Sequence, residues 1–137
     1  MSMKDTALAF FDACETGRGW DVCRQYCTPD ASFDSQTDLF GETKTLEEYT
    51  ESMAHMLTPL PDMRYEMIAF GVDEERDAIV AAATFHATHT GEGGPVPATG
   101  KAVATEDCYV IRFDGDKVGH MTEIWNDGFA MKLAGWA

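Results

Sequence analysis

The hydrophobic pattern of this chain changes its period once, at Pro61, and that change limits the fold more than any other feature. Before it, Ala7, Phe10, Phe11 and Cys14 recur at i, i+3, i+4 and i+7, which predicts an amphipathic helix over residues 6–16 with Gly17 as its stop. Trp20, Cys23 and Cys27 continue the spacing through a second short helix, ended at Thr28 because Pro29 pushes the residue before it out of the α region. Residues 30–34 read as a short extended segment. Thr45 and Glu48 have the spacing of a capping box, and Leu46, Tyr49, Met53, Met56 and Leu57 then share one face of a third helix that Pro59 and Pro61 close. After Pro61 come four alternating runs rich in β-branched and aromatic residues, at 63–72, 78–90, 101–113 and 117–125. Residues 74–77 and the tight Asp114-Gly115-Asp116 hairpin separate them, together with a ten-residue flap at 91–100. Phe129, Leu133 and Trp136 suggest a closing helix capped by Asn126 or Asp127.

Helices first and long meandering strands second is an α+β order, with an antiparallel sheet laying one face on the helices; a doubly wound parallel sheet is excluded. Strands of this length twist and coil, so the sheet is expected to curve around the first helix as a cone whose open end makes a pocket. The 137 residues, 45% of them hydrophobic, suit a single domain over 1–137. A net charge of -14 with no basic cluster argues against a nucleic-acid partner. No apolar run approaches the roughly 20 residues of a membrane span, and the first residues lack the pattern of a signal peptide, so the expected address is the cytoplasm. Of four cysteines only Cys23 and Cys27 are close, at i,i+4, a weak metal signal; Cys14 and Cys23 read as small buried hydrophobes.

Thr88-His89-Thr90-Gly91-Glu92, followed by Pro95, Pro97, Thr99, Gly100 and Lys101, resembles the signature of the SnoaL-like polyketide cyclases, a family of the nuclear-transport-factor-2-like superfamily. Tyr109-Val110-Ile111-Arg112-Phe113 and Asp114-Gly115-Asp116-Lys117-Val118 are similar to the family's next strand, hairpin and strand. The resemblance implies the cone fold (a cystatin-like roll), no cofactor, no metal, commonly a homodimer, and in characterised members an intramolecular aldol ring closure of aromatic polyketide esters. It also implies a histidine on the penultimate strand and an acid/base aspartate on the last; counted from the hairpin, these positions hold Tyr109 and Glu123. The same count against the superfamily's ketosteroid isomerases places Ser35 where their proton-abstracting aspartate stands.

Strand parity gives a separate argument. Met121, Glu123 and Trp125 share one face of their strand, while Asp107, Tyr109 and Ile111 go together on the neighbouring one. If both faces look into the cone, Glu123 and Tyr109 converge on an apolar wall. A buried glutamate has the raised pKa that proton removal beside a carbonyl requires, and a phenol can donate to the oxyanion that forms. Glu123 is thus the candidate general base and Tyr109 the candidate donor, with Asp107, His86 and His89 as further polar candidates. His86 and His89 fall on opposite strand faces, so only one can reach the pocket, and which one stays open; a structural hydrogen bond at the flap is the plainer reading of His89. Phe10, Phe11, Trp20, Phe33, Met53, Met121, Trp125 and Ile111 are expected to line the pocket, although aromatic and methionine stripes are more often core. The expected ligand is a small apolar carbonyl compound. A non-catalytic binding or dimerisation domain, or a dehydratase, isomerase or hydrolase in the same cavity, stands beside the cyclase reading.

Overall fold

The computed structural model describes residues 1–137 and contains four α-helices and five strands: α1 (Met3–Glu15), α2 (Trp20–Cys23), β1 (Cys27–Ser35), α3 (Leu46–Met56), β2 (Arg64–Asp73), β3 (Ala78–Thr88), β4 (Ala102–Asp114), β5 (Lys117–Trp125) and α4 (Asp127–Ala134). A 3₁₀ turn, Arg24–Tyr26, joins α2 to β1. The caps act where the residue types place them. Ser2 accepts a hydrogen bond from the Asp5 amide at 3.0 Å and so starts α1 earlier than its apolar stripe does. The Thr45 hydroxyl accepts from the Glu48 amide at 3.1 Å while Glu48 accepts from the Thr45 amide, which completes the box on α3. The Asn126 side chain caps α4 by accepting from the Phe129 amide.

The sheet order is β1-β5-β4-β3-β2. Strands β2 to β5 form the expected antiparallel meander, and β1 adds at the β5 edge in the parallel sense, so the whole sheet is mixed. The segment read from sequence as residues 30–34 is therefore the middle of a nine-residue strand. The α-helix ends at Cys23 and the 3₁₀ turn at Tyr26, so Cys27, expected to continue the helix, already starts the strand; Thr28 is extended as the residue before a proline must be, and Pro29 is tolerated because the strand lies at an edge.

Alternation along β3, β4 and β5 sends one row of each strand inward against α1 and α3. Ile79, Ala81, Ala83, Phe85 and Ala87 face in from β3, and Val103, Tyr109 and Ile111 from β4. Aromatic contacts join the layers: Phe11 meets Tyr109 edge-on at 5.1 Å, and Phe33 stacks on Tyr49 at 4.3 Å. The same inward rows carry exceptions to their apolar character, above all Asp107 on β4 and Glu123 on β5.

The flap leaves β3 beside Pro59. The Gly91 amide donates to the Pro59 carbonyl at 3.0 Å, so close that a Cβ on Gly91 would stand 1.9 Å from the Thr58 carbonyl oxygen. Neither partner is a flexible side chain, so Gly91→Ala forces the backbones apart. It is expected to destabilise the fold by about 1–3 kcal/mol, as overpacking does; urea unfolding that leaves the midpoint in place contradicts this close approach.

Candidate active site

Five polar side chains from four elements meet inside the cone. Glu15 comes from the last turn of α1, Tyr49 from α3, Asp107 and Tyr109 from β4, and Glu123 from β5. The Tyr109 hydroxyl lies within hydrogen-bond reach of Glu15 Oε1 and, at 2.7 Å, of Asp107 Oδ2. The Tyr49 hydroxyl lies 2.9 Å from Glu15 Oε2 and 3.2 Å from Glu123 Oε2. Ser35 at the end of β1 donates to Glu123 Oε1 at 3.2 Å, and its own Oγ is 2.8 Å from the Thr37 hydroxyl. A continuous chain of polar contacts thus runs Asp107, Tyr109, Glu15, Tyr49, Glu123, Ser35, Thr37. Asp107 Oδ1 is buried without a partner.

The surroundings are apolar. Phe40, Met53, Met56, Phe85 and Trp125 complete the lining, and no lysine, arginine or histidine takes part. Glu15 and Glu123 are each 2% exposed and Asp107 6%. Burial without a cation disfavours the charged form, so Glu123 is pushed up to about 9 and Asp107 to about 8, with the Glu15 carboxyl adding to both; Glu15 itself is raised by burial and pulled back by the phenols that donate to it. Both phenols are held well above their ordinary range, by burial first and by the carboxyls beside them second.

The register supports the sequence reading of parity: Tyr109 stands opposite Glu123, and both face inward. The two are joined through Glu15 and Tyr49 rather than to each other, and the Tyr109 hydroxyl is held between two carboxyls instead of standing free. Met53 and Trp125 line the cavity as expected. Phe10, Phe11, Phe33, Met121 and Ile111 do not; they are buried core, with Phe11 packed edge-on to Tyr109 and Phe33 stacked on Tyr49. Trp20, at the start of α2, packs half-buried against that core and also lies outside the cavity lining.

Neither histidine of β3 and the flap reaches the acids. His86 is half-buried in the row of Thr84 and Thr88, opposite the inward Phe85. His89 is fully buried beneath the flap, where its Nδ1 accepts from Trp136 Nε1 at 2.9 Å and from the Thr99 amide at 3.3 Å. With the Nδ1 lone pair used, the ring proton sits on Nε2, which has no partner and lies 2.9 Å from where a Cβ on Gly94 would stand. His89 is thus a structural tie between flap and C-terminus. His120 is on the other face of β5 from Glu123, between Ser32 Oγ at 2.7 Å and Asp34 Oδ1 at 3.0 Å.

Glu15 and Tyr49 carry chemistry that the sequence reading assigned to neither. Glu15 stands four residues after Phe11 and eight after Ala7, which is the stripe of α1 itself. A glutamate on that stripe is the signal that marks it as buried. Tyr49 was visible as an apolar-face residue, and its hydroxyl is what counts.

The cone is nearly full. The space at the acid cluster is a cavity volume of about 10 Å³, at the threshold for a single water. A second, wholly apolar void of about 20 Å³ lies next to it under α4, and Met56, Phe85 and Trp125 form the partition between them.

Solved structures share this architecture. A SnoaL-like polyketide cyclase candidate from Jannaschia sp. CCS1 superposes with a TM-score of 0.79 at 19% identity, over 98% of this chain and 92% of that one. IdmH, a polyketide cyclase candidate from Streptomyces antibioticus, gives 0.77 at 17% identity over 98% and 99% of the two chains. An LEH-like epoxide hydrolase of M. tuberculosis gives 0.68 at 14% identity over 96% and 88%, so structures named for different chemistries share the cone. No curated protein matches the chain in sequence. The profile of the SnoaL-like polyketide cyclases matches residues 5–132, from the first helix that carries Glu15 to the last helix beyond Glu123. With that profile spanning nearly all of its length and the same curved sheet over its helices, the chain belongs to the SnoaL-like polyketide cyclase family.

Proposed function

We propose that this protein catalyses cofactor-independent acid/base chemistry, an intramolecular aldol-type ring closure, on a small and largely apolar carbonyl compound held in the cone. The observation that carries the reading is three buried carboxyls gathered without a cation inside an aromatic cavity. Such a cluster costs stability, and carboxyls perturbed by burial and by one another in a cleft are the arrangement that acid/base sites use. Ring closure of this kind removes a proton beside one carbonyl and supplies a proton to the alkoxide formed from another. Glu123 is the acid/base residue: its proton, held up to about 9, is available to the alkoxide, and in ionised form it is a stronger base than an ordinary carboxylate. Asp107 offers its unpartnered Oδ1 to the ligand, and Tyr109 acts through Asp107 by holding the other oxygen.

Ligand pockets ordinarily measure about 300–1,000 Å³, far more than the two voids together, so a polyketide-sized ligand enters only when Met56, Phe85 and Trp125 swing out of the partition and vacate the space they fill. Methionine suits such a partition because its side chain is unbranched and adaptable. The filled cone also favours a second reading, a non-catalytic domain of the same fold. A single domain acting in the cytoplasm as a pair of copies completes the proposal. The outer sheet face, where exposed Ile68 and Ile124 flank Ala82 and Cys108, is where the copies would meet.

Incubation with linear aromatic polyketide methyl esters, followed by liquid chromatography and mass spectrometry, tests the activity. The expected result is an isomeric ring-closed product formed faster than in buffer. Saturable binding of those esters with no ring closure at any pH from 6 to 9 supports the binding domain instead.

A further inference from the structure

The contacts inside the cone restrict how many protons they hold. Four carboxyl–phenol contacts join Asp107, Glu15 and Glu123 through Tyr109 and Tyr49, and each needs one proton between its two oxygens. The two phenols supply two. Both must then point at a carboxyl, and the other two contacts are filled only if carboxyls donate in return. Two of the three acids therefore keep their protons, and one negative charge is left for the cluster. Glu15 is the only carboxyl that touches both phenols, so it alone can receive both phenol protons while Asp107 donates to Tyr109 and Glu123 donates to Tyr49.

We infer that Glu15 is a positioning residue that stores the site's single negative charge between Tyr49 and Tyr109 and passes it outward to the carboxyl that meets the ligand. The step balances. Glu123 gives its carboxyl proton to the Tyr49 oxygen as Tyr49 gives its phenol proton to Glu15; Glu15 becomes neutral and Glu123 becomes the anion, with no proton exchanged with solvent. The mirror step through Tyr109 moves the charge to Asp107. Every element packed on the cluster is consistent with this assignment. Alongside Glu15, α1 contributes the Cys14 thiol, β1 contributes the Ser35 hydroxyl, β3 contributes the apolar Phe85, and no cation intrudes to hold a second charge. The inference rests on the proposed acid/base reading for its use in turnover, but the charge count belongs to the ligand-free protein.

Carbon-13 NMR of protein labelled at the Asp and Glu side-chain carboxyls reads the count directly. At pH 7, two of the 24 side-chain carboxyls are expected to be protonated. In Glu15→Gln the amide gives one proton to one phenol and accepts from the other, so one carboxyl proton fewer is needed and the count falls from two to one. A wild-type count of none, one or three overturns the inference, and so does a count that stays at two in Glu15→Gln. If that variant does not fold, the wild-type count still decides. Failure of the cyclisation assay leaves the count untouched, so the two proposals fail separately.

Discussion

Glu123→Gln is expected to lower turnover of a cyclised ester by about 10²–10⁴-fold, the range that a positioned acid/base group contributes, while ligand affinity changes little. The amide keeps the size of the carboxyl and its contacts to Tyr49 and Ser35, at 3.2 Å each in the native protein, so the cavity keeps its shape. What it loses is the ability to take up or release a proton. A fall in kcat with KM unchanged identifies an interaction made only in the transition state, whereas a rise in KM alone would reduce Glu123 to a binding residue. Unchanged turnover would remove it from the chemistry.

Stability should depend on pH in the direction opposite to that of a protein held by surface ion pairs. Burial pushes Asp107 up to about 8 and Glu123 up to about 9 in the folded chain, against about 3.9 and 4.3 unfolded. A raised folded pKa means the stabilisation is complete below about pH 4 and is lost as pH rises through the folded value. Between about pH 5 and 8 the native chain holds two protons that the unfolded chain has released. Each is worth about 1.4 kcal/mol per pH unit, so the two together lower stability by about 3 kcal/mol per unit as pH rises. The surface carboxyls Asp34, Asp62, Asp73 and Glu48 sit below their ordinary values because of the hydrogen bonds they accept and act in the opposite sense, but only as pH falls below about 4. Maximum stability is therefore expected at about pH 4. Urea unfolding at pH 5, 6, 7 and 8 measures the slope, and Asp107→Asn or Glu123→Gln should each flatten it by about half. A midpoint that is flat or rises across this window contradicts the buried neutral acids.

Legibility differed with the kind of information each residue needed. The capping box at Thr45 and Glu48, the hairpin at Gly115 and the four strand runs are local, and they formed within a few residues of where the pattern put them. Parity along β4 and β5 placed Asp107, Tyr109 and Glu123 on one inward face, because alternation is a property of the strand alone. The pairing of β1 beside β5 was not legible. It depends on where the chain returns after α3, and an edge strand of nine residues containing a proline carries a weak pattern. The lining was misjudged for the same kind of reason. Phe10, Phe11, Phe33, Ile111 and Met121 are correctly apolar and inward, but one buried row serves both core and cavity, and sequence spacing does not say where along the cone the packing leaves a gap.

The order of helical and strand periods by itself determined an α+β fold with a long antiparallel meander, and the residues around the flap and hairpin determined the family likeness. Both are carried by backbone preferences and side-chain spacing that act over a few residues. Tertiary structure alone decided that Glu15 and Tyr49, 34 positions apart, meet, and that Glu123 bonds to Tyr49 from 74 positions away. The reason is that a buried carboxyl takes its character from whatever surrounds it. Its neighbours here come from four separate elements, and only the closing of the sheet over the helices brings them within reach of one proton.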